Sequence, residues 1–239
     1  MSPLLQPWSV RAVNLAEHAD NPVHTREGGL AAGYAGAVVA GTTVYAYLTR
    51  PAAEAWGADW VGGGTAEVRF HAPVLAHDAV TVVPVEGADG DWVIEAHNPT
   101  GRCATLAVGL TAGDPPDPVG ERLEPFVEVF GERWAGYADR VGEDLPLYAA
   151  SRLAHPVIWP SLANRVFATQ LVDGAWVHTR SVVRHLGTAA PGDTVVVEAW
   201  LTDRFTTRAG DRAVIDVRIS VDRRAVAAIE HEAIVRLAG

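Results

Sequence analysis
The stretch "AEVRFHAPVLAHDAVTV" (residues 66–82) lies over "SVVRHLGTAAPGDTVVV" (residues 181–197) without a gap. Val68 meets Val183, Arg69 meets Arg184, Asp78 meets Asp193, Val80 meets Val195 and Val82 meets Val197, at a constant shift of 115 residues (183 minus 68). An uninterrupted shift is stronger evidence of duplication than the identities alone. Each copy reads as a short strand, a turn at the Asp, and a second strand with alternating valines.

The flanks repeat as well. After the first copy, "DWVIEAHNPTGRCATLAVGLTA" reads as two strands joined by a turn at "HNPTGR". After the second, residues 211–238 read as two strands turning near Asp222 to Arg224. Before the copies stand two helical stretches, "GTTVYAYLTR" (41–50) with threonines at its start and "PSLANRVFATQ" (160–170) with Pro at its first position. "WSVRAVN" reads as a first strand.

The first helix is rich in Gly and β-branched residues, each unfavourable in a free helix by up to about 1 kcal/mol. Packing inside a sheet must therefore override propensity. Between the halves, residues 113–146 are acidic and rich in Pro and Gly, and read as a linker with one amphipathic helix near Glu128 to Tyr137. The expectation is an α+β chain with a first unit over 1–112, a linker over 113–146 and a second unit over 147–239.

Composition narrows the chemistry. The formal charge of -10 argues against nucleic acid as a partner. All 19 basic residues are Arg, which excludes Schiff-base chemistry and a P-loop lysine. Cys103 is the single cysteine, so disulfides within the chain and thiolate metal clusters are excluded, and a reduced, cytoplasmic location is expected. Its apolar run, "CATLAVGL", makes it a small buried hydrophobe rather than a nucleophile. No signal peptide and no membrane span are read in the chain. "VGGGTAE" is not a phosphate loop, and no Gly-x-Ser-x-Gly elbow is present.

Ahead of the first helix stands "DNPVHTREGG" (20–29), with Asp20, Asn21 and His24 on a turn set by Asn-Pro. Asn21 suits a plain Asx-turn, and Gly41 suits plain packing, as well as they suit a site. In sum these motifs resemble the MaoC-like acyl dehydratases and (R)-specific enoyl-CoA hydratases. The matching residues are "NPVH" (21–24), then Tyr34, then Gly41 opening "GTTVYAYL", then "VRFHAPVLAHDAV" with its Asp turn. The similarity covers most of the chain and implies a double hot-dog fold, two tandem units each with a long helix wrapped by an antiparallel sheet.

The resemblance further implies a hydro-lyase without cofactor or metal, acting on an acyl thioester of CoA or of a carrier protein. The double unit would be a monomer or a homodimer. His24 would be the base or acid, with Asn21 and Asp20 as catalytic partners and Gly41, Thr42 and Tyr34 binding substrate. One departure is plain: the family carries its Asp two places before the Asn, where this chain has Ala19. Asp20 through a shifted loop, Glu17 or Glu27, or His24 acting alone are the alternatives. A thioesterase would need a carboxylate on the helix, and none lies between Gly41 and Arg50. A third reading is a protein that binds or cyclises a bulky ligand without hydratase chemistry, with Trp56, Trp60, Trp159 and Trp176 lining a pocket or filling the core. Arg204 to Arg224 is a basic stretch for an acidic carrier, or a solvated strand face. In the second half, His155 has Arg152 rather than Asn three places before it, so that half is expected to shape the acyl pocket without catalysing. His178 and His185, seven apart on a strand, should face opposite sides.

Overall fold
The computed structural model describes residues 4–87 and 91–238. The first half runs β1 (Trp8–Arg11), α1 (Arg26–Ala31), α2 (Gly41–Gly63), β2 (Thr65–Phe70), β3 (Ala79–Glu86), β4 (Trp92–Asn98) and β5 (Gly101–Gly109). There follow β6 (Glu121–Arg122), β7 (Phe126–Val129), α3 (Glu132–Ala135), α4 (Tyr137–Arg140), α5 (Leu147–Ser151) and α6 (Ile158–Gln170). The chain closes with β8 (Val177–His185), β9 (Thr194–Thr207), β10 (Gly210–Val221) and β11 (Arg224–Leu237).

All strands belong to one antiparallel sheet of order β1-β3-β4-β5-β2-β8-β11-β10-β9-β6, with β7 also pairing β9. The halves join where β2 meets β8. There Ala66 pairs Val183, Glu67 pairs Val182 and Val68 pairs Ser181. Glu67 and Val182 are 115 apart, so each faces its own counterpart and an approximate two-fold axis passes between them.

The repeated turns have the same build. Asp78 Oδ2 accepts from the Leu75 N–H and Asp193 Oδ2 from the Ala190 N–H, both at 2.9 Å. The preceding residues, His77 and Gly192, both have positive φ (73° and 98°). Glycine reaches that region freely, whereas His77 is held there by the turn. Val80, Val82, Val195 and Val197 all face the core. The two-residue turn at Asp222 and Arg223 has positive φ at both positions (50° and 66°), the geometry that matches the twist of a tight hairpin.

Helix α2 is buried on every side from Thr42 to Thr49 and packs against β2 to β5 and β8. This burial explains how a Gly- and Thr-rich segment becomes helical: the sheet leaves its backbone no water to bond. It runs beyond the 41–50 expected and kinks at Gly57 (φ 62°). Helix α6 packs on β8 and β11 in the second half.

Two local expectations differ from the structure. Residues 126–129 are a strand, and only short helices follow at 132–135 and 137–140. Phe126 pairs Val197 as Trp8 pairs Val82, so β7 holds in the second half the place that β1 holds in the first. Sheet pairing here overrides the helical pattern. The second difference is in β8, where Arg180 pairs Glu232 and His178 pairs Ala233, leaving Thr179 as a bulge residue. One extra residue restores the face, so His178 and His185 are both buried on the same side (5% and 0% exposed).

Candidate active site
The overhang 20–29 folds as two tight turns. Asn21 caps the first through Oδ1, which accepts from the Val23 N–H at 3.4 Å, and Thr25 Oγ1 caps α1 by accepting from the Gly28 N–H at 3.0 Å. The paired glycines have a packing reason. A Cβ at Gly28 would lie 2.0 Å from the Pro22 carbonyl oxygen, and one at Gly29 2.1 Å from that of Gly36. The loop can therefore fold back only with glycine at both positions.

This folding fixes the proton state of His24. Its Nδ1 lies 2.8 Å from the Val38 carbonyl oxygen, an atom that only accepts, so Nδ1 carries the proton and Nε2 of the neutral ring is bare. Burial pushes the His24 pKa down, and the Val38 carbonyl partly offsets this. The Val38 carbonyl is itself held by Asn14, whose Nδ2 donates to Val38 O (3.0 Å) and His24 O (3.1 Å). Asn14 Oδ1 accepts from the Ala40 N–H at 3.3 Å. One side chain thus ties the overhang to the start of α2. Its position at the end of "WSVRAVN" gave no sign of that role.

Asn21 does more than cap its turn. Its Nδ2 donates to the Trp176 carbonyl oxygen at 2.9 Å, across to the second half, and stands 3.5 Å from His24 Nε2, the outer limit of a hydrogen bond. His18 lies beside His24 (ring centroids 5.9 Å apart), and its pKa is pushed down to about 4, chiefly by burial and then by His24.

Two cavities meet at Asn21, His24, Asn164 and Trp176. The inner one, about 320 Å³, is walled by Tyr34, Val38, Gly41, Phe70 and His178. The outer one, about 640 Å³, is bordered by Glu17, Asp20, Thr42, Glu128 and Trp134. The start of α2 lies on the border, with Gly41 on the inner and Thr42 on the outer side. The N–H groups of Gly41 and Thr42 have no hydrogen-bond partner among the described residues. The first N–H groups of a helix lack regular intrahelical partners and the dipole there is positive, so developing negative charge is favoured at this spot.

The sequence-derived residues thus divide. His24, Asn21, Gly41, Tyr34 and Thr42 border one or both cavities. Asp20 is exposed on the outer one, and its carboxylate makes no hydrogen bond or ion pair among the described residues. Glu17 is engaged with Arg140, and Glu27 is exposed on the first turn of α1. None of the three is hydrogen-bonded to His24. Of the tryptophans, Trp60 and Trp159 belong to the core, and Trp176 alone borders both cavities. Cys103 is fully buried, and its thiol pKa is pushed up to about 11, first by burial. No group of three or more His, Cys, Asp or Glu among the described residues is placed to hold a metal ion. No helix among them is long and apolar enough to cross a membrane.

No family model matches the sequence, and no curated protein matches it. Solved structures do. A MaoC-like dehydratase is 15% identical, with 99% of each chain covered and a TM-score of 0.62. Rv0216 from Mycobacterium tuberculosis, described as having a double hot-dog fold, is 12% identical over 96% of this chain and 95% of its own (TM-score 0.65). A protein described as an oleoyl thioesterase from Lactobacillus plantarum is 11% identical over 99% of this chain and 98% of its own (TM-score 0.58). Sheet order, the two-fold β2–β8 joint, the buried central helix and these likenesses agree: the chain is a double hot-dog protein.

Proposed function
We propose that the chain is a hydro-lyase that interconverts a 3-hydroxyacyl thioester and a trans-2-enoyl thioester. The observation that carries this reading is His24: a neutral imidazole with a bare Nε2, its other nitrogen locked to Val38 O, beside unpaired N–H groups that suit an enolate oxygen.

In the dehydration direction, the thioester oxygen accepts from the N–H groups of Gly41 and Thr42. His24 Nε2 takes the C2 proton, and charge moves onto the thioester oxygen, where the helix start favours it. A side chain at Gly41 would run into the His178 ring and Phe70, so only glycine fits at the start of α2. The hydroxyl at C3 leaves with the proton that His24 now carries, and the double bond forms between C2 and C3. Proton and hydroxide leave as water, and the imidazole returns to its neutral state. One base serves both steps, so no carboxylate is required. Asn21, anchored on Trp176 O, directs its remaining N–H toward the departing oxygen. The acyl chain lies in the apolar inner cavity, and the thioester tail leaves through the outer one toward CoA or a carrier protein. A reduced cysteine and this substrate class fit a cytoplasmic enzyme.

A thioesterase needs a helix carboxylate aimed at the thioester. The carboxylates of α2 are Glu54, paired with Arg50 at 2.9 Å, and Asp59, and neither borders the two cavities. The test is an assay on crotonyl-CoA and a longer trans-2-enoyl-CoA, following enoyl absorbance and free thiol together. The expected outcome is loss of enoyl absorbance with no thiol released. Thiol release without loss of the enoyl group would favour the thioesterase. Inertness toward both substrates would favour a ligand-binding protein.

A further inference from the structure
The second half contributes a polar chain that ends in the same inner cavity as His24. Asn164 Oδ1, on α6, lies 2.8 Å from His231 Nε2. His231 Nδ1 lies 2.7 Å from Ser181 Oγ, and Ser181 Oγ lies 2.7 Å from His178 Nε2. The rings of His178 and His231 are stacked at a tilt, with centroids 4.1 Å apart. His178, Ser181 and His231 are all buried.

The order of donors follows from the end atom. An amide oxygen only accepts, so His231 Nε2–H donates to Asn164. In a neutral ring His231 Nδ1 is then bare and accepts from the Ser181 hydroxyl. Ser181 Oγ in turn accepts from His178 Nε2–H. That leaves His178 Nδ1 bare, and it is a buried atom without a hydrogen-bond partner. The ring borders the inner cavity and stands over the helix start, since a Cβ at Gly41 would lie 2.9 Å from that same Nδ1. Phe70 holds its other face edge-on at 4.7 Å.

A buried acceptor left unsatisfied costs about 1–3 kcal/mol, so a purely hydrocarbon ligand would be disfavoured at this spot. An O–H in the inner cavity satisfies it once the His178 ring turns toward that cavity, because beside Gly41 the space is taken by the ring itself and by Phe70. We propose that His178 Nδ1 accepts a hydrogen bond from the C3 hydroxyl of a 3-hydroxyacyl ligand, making His178 a substrate-contacting residue supplied by the second unit. This rests on the thioester reading of the site. The consequence for the reaction is orientation. With its own hydrogen directed at His178, the hydroxyl turns a lone pair toward protonated His24, which is the arrangement its departure requires. In the hydration direction, a water held by His178 gives its other proton to His24. The second unit is then part of the catalytic centre as well as a wall of the pocket.

The test uses two thioester probes that differ only in the hydroxyl, 3-hydroxybutyryl-N-acetylcysteamine and butyryl-N-acetylcysteamine. They are titrated into the full chain and followed by long-range ¹H–¹⁵N spectra of its histidines. The wild type is expected to bind the hydroxylated probe about 5- to 140-fold more tightly, the fold-change equal to 1–3 kcal/mol at 1.4 kcal/mol per decade. The His178 Nδ1 resonance should shift with that probe alone. His178→Phe keeps the aromatic packing and should abolish the preference. His178→Asn, which retains a polar atom near the place of Nδ1, should recover part of it. The spectra report whether each variant is folded. Equal binding of both probes by wild type, or a preference that survives in His178→Phe, overturns the role of His178 while leaving the thioester site standing. Failure of either probe to shift any cavity resonance overturns the thioester reading, and this proposal with it.

Discussion

Replacing His24 with Ala is expected to lower kcat/KM for hydration of a trans-2-enoyl-CoA by about 10²- to 10⁴-fold, the usual contribution of a positioned acid-base group. Asp20→Asn should leave it within about twofold. The contrast follows from placement. His24 Nε2 is bare at the junction of the two cavities, whereas Asp20 is exposed and makes no contact with His24. Removing the His24 ring also removes its bond to Val38 O, so thermal unfolding of both variants must be measured beside the kinetics. Asn14 still ties the overhang to α2 in His24→Ala, because its bonds are to backbone atoms at 24, 38 and 40. The fold should therefore hold while activity falls. An equal fall in Asp20→Asn would put a carboxylate back into the mechanism.

The second large effect concerns pH and stability. His178, His185 and His231 are buried and neutral. The pKa values of His178 and His185 are pushed down to about 3 by burial, and that of His231 is driven well below its usual value by burial and by His178. In the unfolded chain each would titrate near 6.5, so as pH falls the unfolded state takes up protons that the folded state refuses. Their contribution is intact above pH 6.5 and is lost progressively as pH drops toward the folded values. Each removes about 1.4 kcal/mol per pH unit once the unfolded imidazole is charged, so the three together remove roughly 4 kcal/mol per unit. A domain stable by about 5–15 kcal/mol should then unfold cooperatively in mild acid, between about pH 6 and 4. The check is the urea midpoint at pH 7.5, 6.0 and 5.0. His185→Phe is the control. That ring packs on Trp60 (centroids 5.1 Å apart), and its two nitrogens have no hydrogen-bond partner. The variant should remove about a third of the slope that these three histidines contribute. A midpoint unchanged from pH 7.5 to 5.0 would contradict this account.

The fold was legible because duplication leaves a pattern that one sequence can display. A constant shift of 115 carried the turns at Asp78 and Asp193 and the alternating valines with it, whereas the β2–β8 joint is seen only in the folded sheet. Strand β7 was harder to read. Its four residues sit in acidic, Pro-rich surroundings, and only pairing with β9 makes them a strand. At the candidate site, the family resemblance singled out "NPVH" and Gly41, and Asn21, His24 and Gly41 border the inner cavity. His178 was not, because side-chain alternation assumes an unbroken period of two. The bulge at Thr179 adds one residue and reverses the face. No residue type marks that position, since Thr is at home in an ordinary strand. Asn14 was hidden for another reason: its role exists only once the overhang has folded against it, so it depends on tertiary contacts rather than on sequence spacing.

The central claim is that one imidazole on one side of the substrate handles both the C2 proton and the C3 oxygen. Hydration of crotonyl-CoA in D₂O tests it most directly. The product predicted is 3-hydroxybutyryl-CoA with a single deuterium at C2, on the same face as the new hydroxyl. Deuterium on the opposite face would require two groups on opposite sides of the double bond and would contradict the single-histidine site. Free thiol with no 3-hydroxyacyl product would contradict the hydro-lyase itself.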